Sequence, residues 1–375
     1  MGSSIVYFYK YYFRHNSFII VLEEFFKIVE GEIMAVTINE VAKEAGVSIT
    51  TVSRVLNNNY PVKKETREKI EKAIEKLNYK PNIMARSLIT KKSGIIAVIV
   101  PGITNLFFPT IVEEIGDCIK SKGYSITLCN TRGDYKTEKE LIEQMLSRQV
   151  DGIIIIDPAS ENLKSNYYED IAMHIPTIIV NGSPQGIKCN FVCYDEAAGA
   201  KEAFKHLIDL GHKKIAFLRG DRSLSYDIKE KIYKEILEEN ALEYINIIQA
   251  GGGNSIDVIG YVQAKLEEIL SAKEKPTAIF ACNDLMAVGA MSACAKFGFK
   301  VPEDISILGF DNTLLSSITH PSLTSVDQNM KETGRTAAME LIDIIENPSK
   351  TRKKIIIDTN LVIRESTGKV PFINS

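Results

Sequence analysis

The segment from Ser48 to Asn57 combines side chains that can contact nucleic-acid bases with side chains that belong in a core. Helical spacing places Val52 and Val55 on one face and polar groups on the other. The polar face carries Ile49, Thr50, Ser53, Arg54 and Asn57. Hydroxyl, amide and guanidinium groups can donate to or accept from base edges and phosphate oxygens. This face is therefore a candidate DNA contact.

Two further helical segments flank this face. Thr37 begins the first of them, and Glu40, three residues later, completes a capping box. Gly46 supplies the left-handed residue that ends it. A third amphipathic segment, from Lys64 to Leu77, completes a three-helix core. A generic helical hairpin is the alternative, but the caps, the turn glycine and the polar second helix favour a DNA-binding headpiece.

A second DNA-contacting element is predicted directly after the headpiece. Pro81 ends the preceding helix, and Asn82 can cap a short helix over residues 82–90. This helix is too short to be stable alone in water. It carries an apolar edge and three basic groups, namely Ala85, Leu88 and Ile89 with Arg86, Lys91 and Lys92. We expect DNA and a second copy of the chain to stabilise it, with an apolar side chain entering the minor groove. A plain linker helix is the alternative.

Charge is divided unevenly along the 375 residues. The whole chain carries a net charge of −3, whereas residues 34–93 carry +6 and residues 94–375 carry −8. A basic segment joined to an acidic body indicates a polyanion-binding module, although a solvated helical surface gives the same charge pattern. The six cysteines are scattered and form no CxxC pair, so we predict neither a zinc site nor a disulfide framework. No metal and no cofactor is predicted.

The first 33 residues differ in character from the rest. They hold nine of the thirty Phe and Tyr residues, and only eight uncharged residues separate Arg14 from Glu23. That stretch is too short for a membrane span or a convincing signal peptide. The residues Glu30-Gly31-Glu32 can be encoded by a purine-rich run of ribosome-binding type just before Met34. We interpret 1–33 as a non-native or unstructured leader, with a real amphipathic extension as the alternative.

After Gly94, apolar runs of strand length alternate with amphipathic stretches of helix length. Nearly continuous β-branched runs such as Ile95–Val100 and Gly152–Ile156 indicate parallel strands that are buried on both faces. Because about 280 residues exceed one modest sheet, we predict two doubly wound α/β subdomains, with ligands at the carboxyl ends of the strands. The predicted domains are an all-α helix-turn-helix headpiece (34–80), a hinge helix and linker (81–93) and an α/β core (94–368). Within the core, the first subdomain is predicted at about 94–192 and 324–347, and the second at about 193–323 and 350–368.

Several motifs, taken in order, resemble the LacI/GalR family of bacterial transcription regulators. They are TINEVAKEAGVSITTVSRVLNN (37–58), YKPNIMARSL (79–88), VDGII (150–154), GHKKIAF (211–217), PTAIFACNDLMAVGAM (276–291), VPEDISILGFDN (301–312) and PSLTSVDQ (321–328). The resemblance implies a periplasmic-binding-protein-like core, a homodimer and a pseudo-palindromic operator in double-stranded DNA. The predicted DNA contacts are Thr37, Ser48, Ile49, Thr50, Thr51, Ser53, Arg54 and Asn57 in the headpiece, and Asn82, Ala85, Arg86 and Leu88 in the hinge.

The same resemblance implies an effector site in the cleft between the two subdomains. The predicted effector-binding residues are Asn105, Phe107, Phe108, Asn181, Lys229, Asn283, Asp311 and Gln328. Planar polar groups and aromatic rings of this kind suit the hydroxyls and faces of a sugar. An Asn or Asp after a strand is, taken singly, also typical of a helix cap, and Asp284 is a candidate for that role alone.

Two departures from the family pattern bear on the effector. Lys229 stands where sugar-responsive members carry an arginine, and Ile232 stands where they carry a glycine. Pro101-Gly102 stands where many members have Pro-Asp. Because lysine lacks the planar fork of arginine, the effector is either not an ordinary free sugar or is held differently.

We expect a cytoplasmic transcriptional repressor of carbohydrate-related genes, controlled by a sugar or a sugar phosphate. The alternative input is a phosphorylated phosphocarrier protein acting as corepressor, as in the carbon-catabolite branch of the family. A transport protein is disfavoured by the headpiece. An enzyme is disfavoured because the chain has no Walker loop, HExxH or GxSxG motif. No membrane partner is predicted.

Overall fold

The computed structural model describes residues 36–57, 60–80, 92–182, 186–221, 223–348 and 351–370. They belong to two compact units, an N-terminal one that includes residues 36–80 and a C-terminal one that includes residues 92–370. The predicted leader at 1–33 and the predicted hinge helix at 82–90 lie outside the described residues. Across the described ranges, no helix is both long and apolar enough to cross a bilayer.

The described residues of the N-terminal unit form a bundle of three helices. These are α1 (Ile38–Ala45), α2 (Ile49–Asn57) and α3 (Lys64–Lys76). The predicted capping interaction is present, since the Glu40 carboxylate accepts the Thr37 backbone N–H at 2.7 Å and its hydroxyl at 3.1 Å. Gly46 ends α1 with φ at +66°, which a glycine adopts without strain.

One side of each headpiece helix is buried in a small shared core. The buried side chains are Val41, Ala42, Val52, Val55, Ile70 and Ala73. An ion pair between Lys76 and Glu44, 2.7 Å apart, joins α3 to α1 at the surface. This packing leaves the opposite face of α2 exposed, as the spacing of its residues predicts.

The C-terminal unit contains two six-stranded sheets. Sheet 1 has the order β11-β5-β4-β3-β1-β2 and is parallel throughout. Sheet 2 has the order β12-β10-β9-β8-β6-β7 and is parallel except for its edge strand β12. The strands are β1 (Ile95–Val100), β2 (Ser125–Asn130), β3 (Gly152–Ile156), β4 (Thr177–Val180), β5 (Asn190–Tyr194), β6 (Ile215–Arg219), β7 (Asn246–Gln249), β8 (Ala278–Ala281), β9 (Ser306–Asp311), β10 (Thr324–Asp327), β11 (Lys354–Ile357) and β12 (Asn360–Val362).

Helices cover the faces of both sheets. They are α4 (Phe107–Lys120), α5 (Tyr135–Ser147), α6 (Ser160–Leu163), α7 (Tyr167–His174), α8 (Glu196–Asp209), α9 (Leu224–Glu239), α10 (Val258–Ser271), α11 (Asp284–Lys296), α12 (Leu314–Ile318) and α13 (Met330–Glu346). Separate apolar clusters lie on the two faces of sheet 1, and a third surrounds sheet 2. Buried parallel strands with helices on both sides form the predicted doubly wound architecture.

The predicted subdomain boundaries are wrong at two short strands. Strand β10 was predicted in the first subdomain, but Ser325 pairs with Gly309 of β9 in sheet 2. Strand β11 was predicted in the second subdomain, but Ile355 pairs with Val192 of β5 in sheet 1. The chain therefore crosses between the sheets at each of these strands. Non-local pairing decides the sheet to which a short strand belongs, and periodicity carries no information about it.

Candidate functional site

Helix α2 presents the predicted DNA-contacting face. Ile49 is 49% exposed despite being apolar, and Thr50 and Arg54 are also exposed. Ser48 precedes the helix and accepts the Thr51 backbone N–H at 3.2 Å, and the two hydroxyls lie 2.8 Å apart. Ser48 and Thr51 therefore fix the start of α2, which places the first turn of the helix for contact with a groove.

Arg54 is held by a residue that the sequence analysis missed. Its guanidinium lies over the ring of Tyr60, 4.8 Å from the ring centroid, and Tyr60 is 61% exposed. A cation–π contact restricts a long arginine side chain before it meets a partner. A tyrosine six residues after an arginine and beyond the helix end gives no periodic signal, so nothing in the sequence pattern indicates this contact.

The structure describes the side chains of some of the remaining predicted DNA contacts but not of others. Thr37 uses its hydroxyl to donate to Glu40, and Ser53 is half-buried. The side chain of Asn57 and the predicted hinge contacts Asn82, Ala85, Arg86 and Leu88 lie outside the described residues. Their roles in DNA binding stay predictions.

The second candidate site is a cavity of about 20 Å³ between the two sheets, room for about one water molecule. It lies where carboxyl ends of strands from both sheets approach each other. Fourteen residues line it: Asn105, Phe107, Phe108, Asp157, Tyr194, Ser223, Ser225, Tyr226, Lys229, Asn254, Cys282, Asn283, Asp311 and Gln328. Seven of the eight residues predicted for the effector cleft are in this set. The eighth, Asn181, donates to Asp157 at 3.3 Å and so adjoins it.

Lys229, on α9, is buried in the wall of the cavity with only 1% of its surface exposed. Its ammonium donates to the Ser225 hydroxyl at 2.8 Å and to the Cys282 carbonyl at 3.3 Å. It also lies 3.4 Å from a carboxylate oxygen of Glu196 and 3.9 Å from the centroid of the Phe310 ring. Two hydrogen bonds, an ion pair and a ring contact within the chain thus surround the ammonium of this lysine.

Asp311 ends β9, lines the cavity and is strained and buried. Its φ is +115°, a region that side-chain-bearing residues rarely adopt, and such strain concentrates at functional sites. Gln328 donates its amide to Asp311 at 2.5 Å. Burial is the largest cause that raises the pKa of Asp311 well above its ordinary value, and the neighbouring Asp284 carboxylate adds to it.

Asp157 follows β3 directly and is a site residue that the sequence analysis missed. Burial, and secondarily the Glu196 carboxylate, raises the pKa of Asp157 to about 7, with Lys229 acting in the opposite direction. Its φ is +48°, and that of Asn181, at the end of β4, is +65°. The sequence does contain an indication of this role, because Asp157 directly follows β3 just as Asn181 directly follows β4.

Aromatic rings close one side of the cavity. Phe107 meets Phe108 edge-to-face with 5.2 Å between ring centroids, and Tyr194 meets Phe107 at 5.9 Å in the same manner. All three are buried. Rings at the first turn of α4 and the end of β5 supply an apolar surface beside the polar groups, an arrangement suited to one face of a ring-shaped ligand.

Asn283 has both a structural and a cavity-lining place. Its side-chain oxygen Oδ1 accepts the Met286 backbone N–H at 2.8 Å and so caps α11. Its side-chain nitrogen Nδ2 donates to the Gly253 backbone carbonyl at 3.0 Å. Asp284, considered as a possible cap, does not cap its own helix. It accepts from the backbone N–H of Thr313 at 2.6 Å and from the Ser325 hydroxyl at 2.5 Å.

A loop at 251–256 holds the two subdomains together across the cavity. Asn254 accepts from the Tyr226 hydroxyl at 3.1 Å and from the Asn105 amide at 3.4 Å. The Ile256 backbone N–H donates to Thr104 at 3.2 Å. Gly102 is required in this closed arrangement, because a Cβ there would lie 2.7 Å from the Asn254 carbonyl oxygen. The glycine that departs from the family's Pro-Asp pattern thus permits close contact between the subdomains.

Outside the cavity lies a wider groove of about 750 Å³, which shares Asp157, Ser223 and Asn254 with it. Strand β2, the loops after β1 and β3, and the loop at 251–257 border the groove. Its described charged residues are Arg132, Asp134, Glu138, Asp157, Glu161, Asp221 and Asp257. The groove is therefore acidic and leads to the inner cavity. No group of three His, Cys, Asp or Glu side chains within the described part of the chain is arranged to hold a metal ion.

Comparison with known protein families yields two matches. Residues 37–82 match the family described as bacterial regulatory proteins, lacI family, and residues 204–367 match a periplasmic binding protein-like domain. The chain is 37% identical over 338 residues to catabolite control protein A of Priestia megaterium, which covers 89% of this chain and all of that protein. It is 34% identical to the ribose operon repressor of Halalkalibacterium halodurans, over 88% of this chain and 97% of that one.

Solved structures give a consistent comparison. The lac repressor dimer bound to operator and the anti-inducer ONPF aligns with a TM-score of 0.76 at 30% identity, covering 89% of this chain and 99% of that one. A regulator from Enterococcus faecium with bound ribose aligns with a TM-score of 0.64 at 27% identity, over 73% of this chain and 99% of that one. Both sequence relatives are matched over nearly their whole length, so the likeness extends through both the headpiece and the α/β core.

Proposed function

We propose, from the premise that this chain belongs to the LacI family of bacterial regulatory proteins, that an effector in its inner cavity controls operator binding. The chain is a DNA-binding transcriptional repressor and not an enzyme. Its homodimer binds a pseudo-palindromic operator, and it acts in the cytoplasm, where operator DNA is found. The regulated genes concern carbohydrate metabolism. The ribose operon repressor among its relatives supports this choice.

One observation carries the effector proposal. Side chains from both subdomains, predicted from scattered positions in the sequence, line or adjoin a single closed cavity. The hydrogen bonds from the Asn105 amide to Asn254 and from the Ile256 backbone N–H to Thr104 join the two subdomains beside that cavity and hold it closed. A ligand that binds the closed state more tightly than the open one shifts the population between them. It thereby changes the affinity for DNA by at most the ratio of its own affinities for the two states.

The alternative input, a phosphorylated phosphocarrier protein, has less support. Catabolite control protein A is a relative of this chain, and a lysine at the position of Lys229 is the feature that suggested a protein corepressor. Lys229 is buried and engaged by Ser225, Cys282 and Glu196, however, so its ammonium is not available to a docked protein. A small molecule in the cleft is therefore the favoured input.

Within this proposal, the segment at 82–90 couples the two units. Formation of the hinge helices in two partner chains would let Leu88 enter the minor groove at the operator centre. The headpiece contacts the flanking half-sites through Ile49, Thr50 and Arg54.

The test is selection of duplexes from a random library by the purified full chain, with Arg54→Ala and Lys72→Ala as variants. We expect the wild type and Lys72→Ala, an exposed change on α3, to enrich one symmetric sequence, and Arg54→Ala to lose selectivity at one base position. Failure of the wild type to enrich any symmetric duplex would contradict the proposal.

The effector half of the proposal is tested on the same selected duplex. Sugars and sugar phosphates are added in parallel with a phosphorylated phosphocarrier protein, and operator affinity is measured by fluorescence anisotropy. A change caused by a small molecule supports the cleft. A change caused only by the phosphocarrier protein would favour the alternative input.

A further inference from the structure

Three buried oxygen atoms at or next to the inner cavity have no hydrogen-bond partner among the described residues, two of them on residues that line the cavity and one on Glu196, which contacts the lining residues Ser225 and Lys229. They are Oε2 of Glu196, Oδ2 of Asp311 and Oε1 of Gln328. Each belongs to a side chain that is at least nine-tenths buried. All three can accept a hydrogen bond, and leaving a buried acceptor without a donor is unfavourable. A ligand that supplies hydrogen-bond donors is therefore favoured at this site.

Several described donors near the cavity are already engaged by the chain. The ammonium of Lys229 is surrounded by Ser225, Cys282 and Glu196. The Asn283 amide donates to the Gly253 carbonyl, and the Tyr226 hydroxyl donates to Asn254. A ligand that offers only acceptors, as a phosphate or a carboxylate does, would have to compete with the chain for these donors.

The charged residues of the cavity and the groove also favour a ligand with a protonated amine over an anionic one. Asp157, Asp311 and Glu196 place three carboxyl groups at or next to the cavity, and Lys229 is the single described cation among its lining residues. The groove outside adds Asp134, Asp221, Asp257 and other carboxylates against the single described arginine, Arg132. The carboxylates of the groove therefore favour the approach of a positively charged ligand and oppose an anionic one. The pKa values of Asp157 and Asp311 are raised in this closed cavity, and an ammonium group beside them would lower those pKa values and favour the ionised carboxylates.

We propose that the effector carries a protonated amine together with several hydroxyl groups, as an amino sugar does, and that its ammonium occupies the inner cavity. This inference rests on the proposed function, since it names the chemical class of the effector for that same cleft. The cavity of about 20 Å³ admits one group the size of water, which is also the size of an ammonium group. Its N–H groups would meet the unpartnered oxygens of Asp311 and Gln328, which line the cavity, and the hydroxyl-bearing remainder would extend into the outer groove.

The test compares matched ligands on three sugar scaffolds. Glucosamine, galactosamine and mannosamine are each set against the neutral parent sugar, the N-acetyl derivative and the 6-phosphate of the parent. Binding to the full chain at neutral pH is followed by thermal shift and by isothermal titration. We expect the amine of at least one scaffold to bind about tenfold more tightly than its three counterparts, because it alone forms charge-assisted hydrogen bonds.

Charge-removing variants locate the amine. Asp311→Asn, and Asp157→Asn as an independent second variant, should reduce the preference for the amine over its neutral parent to about equal binding. Glu303→Gln, which removes an exposed carboxylate outside both spaces, should retain the preference. Binding of the selected operator by each variant shows that the fold is intact.

Several results would overturn the inference. A neutral, acetylated or phosphorylated sugar that binds as tightly as its amine would show that the cavity holds only water or a hydroxyl group. If none of the three amino sugars binds at millimolar concentration, the inference of an amine-bearing effector is also contradicted. If operator selection by the same preparation succeeds, the proposed function stands and only the amine is refuted. If operator selection fails, the proposed function is refuted by that result, independently of the sugars.

Discussion

The ammonium group of Lys229 lies 3.4 Å from the carboxylate of Glu196, and both side chains are almost fully buried. Glu196 begins α8, whereas Lys229 lies one turn into α9. The hydroxyl of Ser225 donates to Glu196 and accepts from Lys229, so it joins the two charges. The pair is thus a built element of the cleft wall and not a chance contact between surface side chains.

Removing one charge of this pair should destabilise the fold strongly. We expect Lys229→Met to lower the free energy of unfolding by about 3–5 kcal/mol, because it leaves the Glu196 carboxylate buried without a cation. The double variant Lys229→Met with Glu196→Gln should recover much of that loss. Urea denaturation of the wild type, both single variants and the double variant measures the coupling. Losses that simply add in the double variant would mean that the two charges do not stabilise each other.

Stability should depend on pH through Asp157. Its pKa in the folded chain is raised to about 7, whereas an unfolded aspartate ionises near its ordinary value, so the folded state binds the extra proton. The contribution is present at pH below about 4 and is lost as pH rises through about 7. We therefore expect Asp157→Asn to match the wild type at about pH 4 and to exceed it by up to about 4 kcal/mol at about pH 8.

A matched carboxylate with the opposite shift provides the control. The pKa of Asp134 is lowered, first by the backbone N–H of Thr137 and then by its hydroxyl. Asp134→Asn should therefore fall below the wild type in stability as pH rises towards about 4, and the difference should stay constant between about pH 4 and about pH 8. Thermal unfolding from about pH 2 to about pH 8 checks both signs. A constant difference between Asp157→Asn and the wild type at all pH values would show that Asp157 does not titrate in this interval.

Most of the α/β core was predictable from the sequence, because strongly β-branched runs such as Gly152–Ile156 have few other uses than buried parallel strands. Strands β10 and β11 were assigned to the wrong subdomains. Each has only four residues, and the sheet it joins depends on partners far away in the chain. The local sequence pattern indicates whether a segment is a strand or a helix. It does not indicate which strand will be its neighbour, because that pairing is a long-range contact.

The cleft shows the same division between local and long-range information. Asn283, Asp311 and Gln328 were found through the family resemblance, which already encodes a three-dimensional site. Glu196 was not found, because an acidic first turn of a helix is typical of any helix N-terminus. Its role depends on Lys229 lying against it, and that contact is set by how α8 and α9 pack.

Asn283 allows the cap and the cleft contact to be separated. Asn283→Ala should lower the free energy of unfolding by about 1 kcal/mol through loss of the α11 cap, and it should also abolish the response of operator binding to effector. Asn283→Asp keeps an oxygen acceptor for the Met286 N–H but removes the amide donor to the Gly253 carbonyl. It should therefore retain the cap and still lose the response.

Operator binding in the presence and absence of effector, measured beside urea denaturation, distinguishes these two effects of Asn283. The DNA affinity without effector should stay near the wild-type value in both variants. A normal effector response in Asn283→Asp would place effector recognition elsewhere in the cleft.

Arg54 should contribute to both affinity and base selectivity. Arg54→Ala is expected to cost about 1–3 kcal/mol of operator binding and to relax one base position. Arg54→Lys keeps the charge but loses the planar fork, so it should retain part of the affinity and lose the selectivity. Competition binding with operators that differ at single base pairs measures both quantities. If both variants bind all of these operators as the wild type does, Arg54 makes no base contact.

Tyr60 should act through Arg54, since its ring lies 4.8 Å from the guanidinium. Tyr60→Ala is expected to cost about 0.5–1 kcal/mol of operator binding, because the arginine then loses its cation–π support and must be ordered on binding. Tyr60→Phe keeps the ring face and should bind as the wild type does. In an Arg54→Ala background, Tyr60→Ala should have no further effect. A double-mutant cycle by fluorescence anisotropy tests this coupling, and an undiminished loss in that background would mean that Tyr60 contacts DNA directly.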